Sequence, residues 1–129
     1  MVVYLAGPWA RRSEVRTARE ILQRAGITVN SRWLDFDSDA NDEHNADVQR
    51  REAETDIQDI QAADILVVLN LEKSEGKAFE QGVAFMLGTP VVVVGAISTV
   101  FQQMAGFTQV DSLFDAIEHL KNDPSYSPY

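Results

Sequence analysis

Glu80 is a carboxylate whose position in the chain suits it to chemistry. It falls in, or just after, the first turn of a predicted helix, where free backbone amides and the helix dipole hold a carboxylate ionised. An ionised carboxylate at the mouth of a binding crevice is a candidate nucleophile or base. The alternative is that Glu80 only stabilises the start of its helix, and position alone favours that alternative by roughly two to one.

Asp56 is the second candidate and lies on the preceding predicted helix, one position before the apolar Ile57. A carboxyl at the rim of a buried helix face can have a raised pKa and can act as an acid. The alternative is a solvated position, which is also the prediction for Glu52, Glu54 and Asp59. Position alone favours that alternative, because acidic residues on helices are mostly exposed.

The segment after the first predicted strand holds candidate ligand contacts, Gly7, Pro8 and Trp9. Trp9 can stack on a planar ligand such as a nucleobase. Arg11 belongs to a basic patch with Arg12 and Arg16. Phosphate binding and plain solvated charge are about equally compatible with that patch.

The loop Ser74-Glu75-Gly76 stands just before the helix of Glu80. Its backbone amides can cradle an oxyanion. The signal is weak, because neither a Walker motif nor G-x-G-x-x-G accompanies it. Tyr4 lies on the first predicted strand, where a tyrosine is more often part of the core than of a site.

Short β-branched runs alternate with helical patterns along the chain, which indicates parallel strands joined by crossover helices. The predicted strands are Val2–Ala6, Ile27–Trp33, Ile65–Leu69, Val91–Val94 and Thr108–Val110. Helices are predicted at about Arg11–Ala25, Ala46–Ala63 and Gly76–Leu87, in a short segment within Ser98–Met104, and after a cap at Asp111 or Ser112. Ile21 and Ala53 are expected on buried helix faces. The acidic stretch Asp35–Asp47 is expected to be a loop.

This order predicts a three-layer α/β domain with a five-stranded, flavodoxin-like or Rossmann-like parallel sheet of order 2-1-3-4-5. Its switch point lies between the first and third strands. The ligand is therefore expected at the loops Gly7–Arg12 and Leu71–Glu75. Residues 1–123 are expected to form one domain, with a tail at 124–129.

Composition narrows the function classes. The chain has 129 residues, no cysteine and a net charge of −9. Disulfides and thiolate chemistry are excluded, and tight binding to a nucleic acid polymer is unexpected for so acidic a protein. His44 and His119 lack metal-ligand spacing, so no metal is expected. No apolar run is long enough to cross a membrane, and a cytoplasmic location is expected.

Four segments together resemble the nucleoside 2-deoxyribosyltransferase superfamily. They are V-Y-L-A-G-P at Val3–Pro8, S-R-W-L at Ser31–Leu34, E-x-D-I-x-D-I-x-x-A-D ending at Asp64, and S-E-G-K-A-F-E-Q-G-V-A-F-M-L-G-T-P-V at Ser74–Val91. The superfamily includes transferases, deoxynucleoside monophosphate N-hydrolases and short members from phage genomes. Each segment is loose alone, but their order and spacing are fairly specific.

The resemblance implies a role for each matching position. Glu80 matches the nucleophile that forms a covalent deoxyribosyl-enzyme intermediate, and Asp56 matches the carboxyl that assists departure of the base. Ser74 matches a position that is aspartate in typical transferases and a phosphate-contacting serine in the monophosphate hydrolases. Tyr4 and the Gly7–Trp9 loop match the wall of the sugar and base pocket. The substrate is then a small nucleoside or nucleotide, and no cofactor is needed.

Three functions remain open at this point. One is transfer of 2-deoxyribose between bases; another is hydrolysis of (deoxy)nucleoside 5′-monophosphates; the third is a nucleotide-binding module without catalysis. The monophosphate hydrolases carry serine and arginine where this chain has Pro8-Trp9-Ala10-Arg11, so Arg11 or Arg12 would have to contact phosphate instead. Members of the superfamily are oligomers, which implies a homodimer or a larger homo-oligomer.

Overall fold

The computed structural model describes residues 1–36 and 45–127. Within these ranges the strands are β1 (Val2–Ala6), β2 (Thr28–Val29), β3 (Ile65–Leu69), β4 (Val91–Val94) and β5 (Phe107–Val110). The α-helices are α1 (Arg12–Arg24), α2 (Ala46–Ala62), α3 (Glu75–Leu87) and α4 (Leu113–Lys121). Short 3-10 helices cover Trp9–Arg11, Arg32–Asp35 and Val100–Gln103.

The five strands form one parallel sheet of order β2-β1-β3-β4-β5 with helices on both sides, which confirms the predicted fold class. β1 and β3 are neighbours in register, with Val3 opposite Ile65. The switch point therefore lies between them, and the loops that follow these two strands meet at one edge of the sheet.

The sheet is the centre of the hydrophobic core. Every residue of β3 is buried, as a strand covered by helices on both faces requires. Val15 and Leu22 of α1, Ile60 of α2, and Leu120 of α4 are fully buried against this core. The central strands and the apolar helix stripes thus fix where the loops above the sheet lie.

Strand β2 is shorter than predicted: it ends at Val29, and Trp33 lies in a 3-10 helix. Two side chains take over the bonds that a longer strand would make with β1. Ser31 Oγ accepts from the backbone N–H of Leu5 at 2.6 Å, and Trp33 Nε1 donates to the Leu5 carbonyl at 2.8 Å. Because β1 is satisfied by side chains here, the chain can leave the sheet early.

Two predicted core positions on helices are wrong. Ile21 is 42% exposed on α1, and Ala53 is exposed on α2. α3 begins at Glu75, one residue before the predicted start, because the Ser74 side chain caps it by accepting from the backbone N–H of Lys77 at 3.2 Å. It ends at Gly88, whose φ of 73° suits glycine.

The predicted loop between Asp35 and Asp47 falls largely outside the described residues, and so do His44 and Tyr129. Tyr126 is half-buried and packs against the hydrophobic core, so this part of the predicted tail contacts the domain. The boundary at residue 123 stays a prediction. No helix in the described ranges has the length and apolar character needed to cross a membrane.

Candidate active site

A cavity of about 160 Å³ opens where β1 and β3 end. Its walls come from the loop after β1, the 3-10 helix after β2, the middle of α2, and the first turns of α3. The lining residues are Gly7, Trp9, Trp33, Phe36, Glu52, Asp56, Ser74, Gly76, Lys77 and Glu80. The fold thus brings together six of the nine predicted site residues, and a seventh, Tyr4, contacts Glu80.

Glu80 is held by Tyr4, which is fully buried in β1. The Tyr4 hydroxyl donates a short hydrogen bond to Oε2 of Glu80. Burial raises the pKa of Glu80 to about 8; the Tyr4 hydrogen bond opposes this rise, and the negative charge of Asp56 adds to it. Burial and the nearby Glu80 carboxylate also raise the pKa of Tyr4, so its hydroxyl remains a donor.

Asp56 shares the cavity and also has a perturbed pKa. Burial raises its pKa to about 7, and the negative charges of Asp59 and Glu52 add to the rise. Its Oδ1 atom is buried and has no hydrogen-bond partner among the described residues. A buried polar atom without a partner is costly, so a ligand that bonds to this oxygen would relieve that cost.

The two raised pKa values determine which protonation states exist near neutral pH. Two carboxyls that share a cavity titrate in steps that belong to the pair. The form with Glu80 ionised and Asp56 protonated is one of the two singly protonated forms of the pair. Any contact that favours ionised Glu80 or protonated Asp56 enlarges the population of that form.

The loop after β1 forms one wall of the cavity. Gly7 lies so close to α1 that a Cβ atom would stand 2.6 Å from Cγ2 of Val15, so only glycine fits there. Pro8 is buried. Trp9 is 39% exposed, and its ring packs beside that of Trp33 with 6.2 Å between centroids. The exposed part of this aromatic pair is available to stack on a planar group.

The two arginines after Trp9 have different partners. Arg11 is paired with Glu14 by two hydrogen bonds, of 2.8 and 2.6 Å. Neither Arg11 nor Arg12 is among the residues that line the cavity. The Arg12 guanidinium lies 3.9 Å from the centre of the Trp9 ring, and its Nη1 atom is buried with no partner among the described residues. Of the two, Arg12 has the unused donor.

The start of α3 forms another wall of the cavity. Ser74 and Gly76, from the loop predicted to face a ligand, both line it. Lys77 is only 4% exposed; its Nζ donates to Oδ1 of Asn70 at 2.8 Å and to the carbonyl of Glu72 at 2.6 Å. Burial lowers the pKa of Lys77.

Sequence reasoning missed several residues of this site. Trp33, Phe36, Glu52 and Lys77 line the cavity but were not predicted site residues. The S-R-W-L segment, quoted only for its resemblance, held the signal for Trp33. Nothing in the local pattern distinguishes Lys77 from an exposed helix lysine.

The prediction that Asp59 is a solvated residue is wrong, since it is 5% exposed. Its carboxylate instead pairs with Arg32, with 2.8 Å between Oδ1 and Nη2.

Within residues 1–36 and 45–127, no three histidine, aspartate or glutamate side chains are grouped so as to hold a metal ion.

Solved structures share this fold at low sequence identity. A 2-deoxyribosyltransferase from the psychrotolerant bacterium Bacillus psychrosaccharolyticus is 20% identical, with a TM-score of 0.74 over 98% of this chain and 93% of that one. A conserved protein from Enterococcus faecalis V583 is 20% identical, with a TM-score of 0.69 over 94% and 97%. The Clostridium botulinum CMP N-glycosidase is 12% identical, with a TM-score of 0.60 over 94% and 99%.

The sequence itself gives the family. A search of functionally curated proteins finds no significant match. The family model described as nucleoside 2-deoxyribosyltransferase matches residues 3–115, which includes every strand and the start of α4. The chain therefore belongs to the nucleoside 2-deoxyribosyltransferase family, whose members are enzymes that act on nucleosides.

Proposed function

We propose that this protein cleaves the N-glycosidic bond of 2′-deoxynucleosides and passes the sugar to another base. The observation that carries the proposal is the pairing of Glu80 and Asp56 in one small cavity. Glu80 receives a hydrogen bond from Tyr4, while Asp56 has an oxygen without a partner. One carboxylate is thus oriented by the protein, and the other has an oxygen free to bond to a substrate.

In the proposed first step, an Oε atom of Glu80 attacks C1′ of the sugar. The bond between C1′ and the base nitrogen breaks, and its electron pair leaves with the base. Asp56 gives its proton to the departing base, which therefore leaves neutral. The product is a covalent ester between Glu80 and the deoxyribosyl group, as in retaining glycosidases.

In the second step, a nitrogen of an incoming base attacks C1′ and displaces the Glu80 carboxylate. The ionised Asp56 accepts the proton that the incoming base loses, which restores the starting state. Water in place of the base gives hydrolysis. Glu80 stabilises the positive charge that develops on the sugar. Neither step oxidises or reduces the substrate, so the proposed reaction needs no redox cofactor.

Hydrolysis of 5′-monophosphates is the second candidate, and two observations favour it. Ser74 caps α3 and lines the cavity, at a helix end where backbone amides favour a phosphate. Arg12 has a buried Nη1 without a partner beside Trp9, so it is the arginine that has a free donor for an anion. Arg11, engaged by Glu14, is the weaker candidate.

A chromatographic assay distinguishes these functions. Purified protein is incubated with deoxynucleosides and with their 5′-monophosphates, with and without a free acceptor base. Products that need the acceptor support transfer, and base release from monophosphates without it supports the hydrolase. Glu80→Gln should abolish either activity. Glu75→Gln is the matched control, because Glu75 is an exposed acid in the first turn of the same helix.

The third candidate, a binding module without catalysis, predicts a different result. Wild type and Glu80→Gln would then bind the same ligand, and the ligand would raise both melting temperatures equally. Neither protein would form a product. That outcome would contradict the proposed enzyme function.

We further propose that the protein is a homodimer or larger homo-oligomer whose interface uses α3 and the 100–103 helix. Large apolar side chains are exposed there: Phe79, Phe85, Met86, Leu87, Val100 and Phe101. Phe85, Met86 and Phe101 line a mostly apolar groove of about 730 Å³, and this groove shares Ser74 and Lys77 with the small cavity. An apolar surface of this kind is unusual on a monomer.

Light scattering after gel filtration tests this interface. Phe101→Glu should shift the wild-type oligomer towards monomer. Phe114→Glu is the matched control, because Phe114 is similarly exposed but lies on α4, away from the groove. A monomeric wild-type protein, or an equal effect of both substitutions, would contradict the proposed interface.

A cytoplasmic location stays a prediction.

A further inference from the structure

Asp59 lies three positions after Asp56 on α2, so the two side chains share one side of the helix. The Asp59 carboxylate is bonded by both the backbone and the side chain of Arg32: Oδ2 accepts from the backbone N–H at 3.0 Å, and Oδ1 accepts from Nε at 3.0 Å. The Asp59 carbonyl accepts from Nδ2 of Asn30 at 2.8 Å. This buried carboxylate is therefore fixed by both a side chain and the backbone.

The ion pair is asymmetric in its exposure. The Arg32 side chain is 58% exposed, whereas the Asp59 side chain is 7% exposed. The positive charge is therefore screened by solvent, while the negative charge stays in the interior beside α2. Asp59 follows burial as the second cause of the raised pKa of Asp56, ahead of Glu52.

The other described charged or titratable groups near Asp56 come from three elements. Glu52 lies on the same helix, Tyr4 on β1, and Glu80 and Lys77 on α3. All of these except Tyr4 line the cavity, and Tyr4 contacts Glu80. Asp59, like Tyr4, does not line the cavity, so it can act on a substrate only through another side chain, and the side chain whose pKa it affects is Asp56.

We propose that Asp59, fixed by Arg32, is a positioning residue that keeps the proton on Asp56 while Glu80 is ionised. Tyr4 acts on the other carboxyl in the same direction, because its hydrogen bond favours ionised Glu80. Together they enlarge the population of the form that the reaction uses, in which Glu80 is ionised and Asp56 is protonated. This role rests on the proposed function, in which Asp56 is the proton donor.

Asp59→Asn tests the role, since it removes the charge and keeps the shape. The pKa of Asp56 should then fall, because its ionised form loses a repulsive neighbour. We expect kcat at pH 7 to fall roughly three- to tenfold, because less of the form with Glu80 ionised and Asp56 protonated is present. The limb of the pH profile that Asp56 sets should move down by about 0.5 to 1 pH unit. KM should change less than about twofold, because Asp59 does not contact the substrate.

Glu54→Gln is the matched control. Glu54 is an exposed acid on the same helix, and its removal changes the net charge by the same amount. It should leave kcat and the pH profile unchanged. A loss of kcat in Asp59→Asn with both limbs of the pH profile unmoved would show a merely structural role and would overturn the proposal.

Carboxyl ¹³C NMR of the ligand-free protein gives a readout that needs no turnover. The Asp56 signal, assigned with Asp56→Asn, should titrate at lower pH in Asp59→Asn than in wild type; an unmoved titration would overturn the proposal. If no nucleoside is cleaved, the proposed function fails while this titration still decides the role of Asp59. If Asp59→Asn does not fold, Arg32→Gln decides. It removes the positive charge beside the Asp59 carboxylate, so the Asp56 signal should titrate at higher pH than in wild type, and an unmoved titration would overturn the proposal.

Discussion

The hydroxyl of Tyr4 donates a hydrogen bond to the carboxylate of Glu80, although the two residues are 76 positions apart in the chain. Tyr4 lies in β1, and Glu80 lies in the second turn of α3. The bond favours the ionised form of Glu80, whereas burial favours the protonated form. The balance between the two decides how much of the nucleophile is available at neutral pH.

Tyr4→Phe removes this bond and leaves the ring in the core. The pKa of Glu80 should rise, because its ionised form loses a donor, by about one to two pH units. The limb of the pH profile of kcat that Glu80 sets should move up accordingly, and kcat at pH 7 should fall about tenfold or more. A profile with both limbs unmoved would mean that Tyr4 does not tune Glu80.

Stability should depend on pH because both carboxyls hold their protons more tightly in the folded state. The pKa of Glu80 rises from 4.5 to about 8, and the pKa of Asp56 rises from 3.8 to about 7. The contribution of these two carboxyls to the free energy of unfolding is therefore fully present below about pH 4 and is lost as the pH rises towards 8. Between pH 5 and 8 the free energy of unfolding should fall by on the order of 2–4 kcal/mol more in wild type than in Asp56→Asn/Glu80→Gln. Urea unfolding at several pH values measures the free energy of unfolding of both proteins. An equal pH dependence in wild type and in the double variant would contradict this prediction.

Much of this fold follows from sequence pattern, because the apolar runs at Ile65–Leu69 and Val91–Val94 permit only buried parallel strands. The early end of β2 does not follow, since it depends on Ser31 and Trp33 bonding the backbone of Leu5. Those are contacts across 26 and 28 positions of chain, and no local periodicity reports them.

Ser74 connects the stability of α3 with the choice of substrate. Ser74→Ala removes the helix cap and should lower the free energy of unfolding by about 1 kcal/mol. Ser74→Asp keeps a capping side chain but places a negative charge in the cavity wall. It should reduce cleavage of 5′-monophosphates more than cleavage of nucleosides, because the added charge repels phosphate. Equal effects on both substrates would argue against a phosphate at Ser74.

Arg12 and Arg11 form a matched pair for the same question. Arg12→Gln should raise KM for 5′-monophosphates about tenfold and leave KM for nucleosides nearly unchanged, since a charged hydrogen bond to phosphate is lost. Arg11→Gln should change neither, because Glu14 already engages its guanidinium. Steady-state kinetics on both substrate types measures this. An effect of Arg11→Gln alone would reverse the assignment of the two arginines.

The candidate site was partly predictable for a physical reason. Trp9 and Ser74 follow β1 and β3 at the sheet edge where this topology places ligands, and Glu80 lies close to that edge in the second turn of α3. The burial of Asp59 and Lys77 could not be predicted from the sequence. Asp59 pairs with Arg32, which is distant in the chain, and Lys77 donates to Asn70 and Glu72, which lie just before its helix. Only the assembled fold shows that their charges lie in the interior.

The covalent bond between Glu80 and the sugar is the central claim, and mass spectrometry tests it most directly. A 2′-fluorinated nucleoside destabilises the positively charged transition states, so the ester intermediate should form and persist once the base has left. Intact protein should gain the mass of one fluorinated sugar, with the modification on the peptide that contains Glu80 and none in Glu80→Gln. Release of base without an adduct, or an adduct on another residue, would contradict the account.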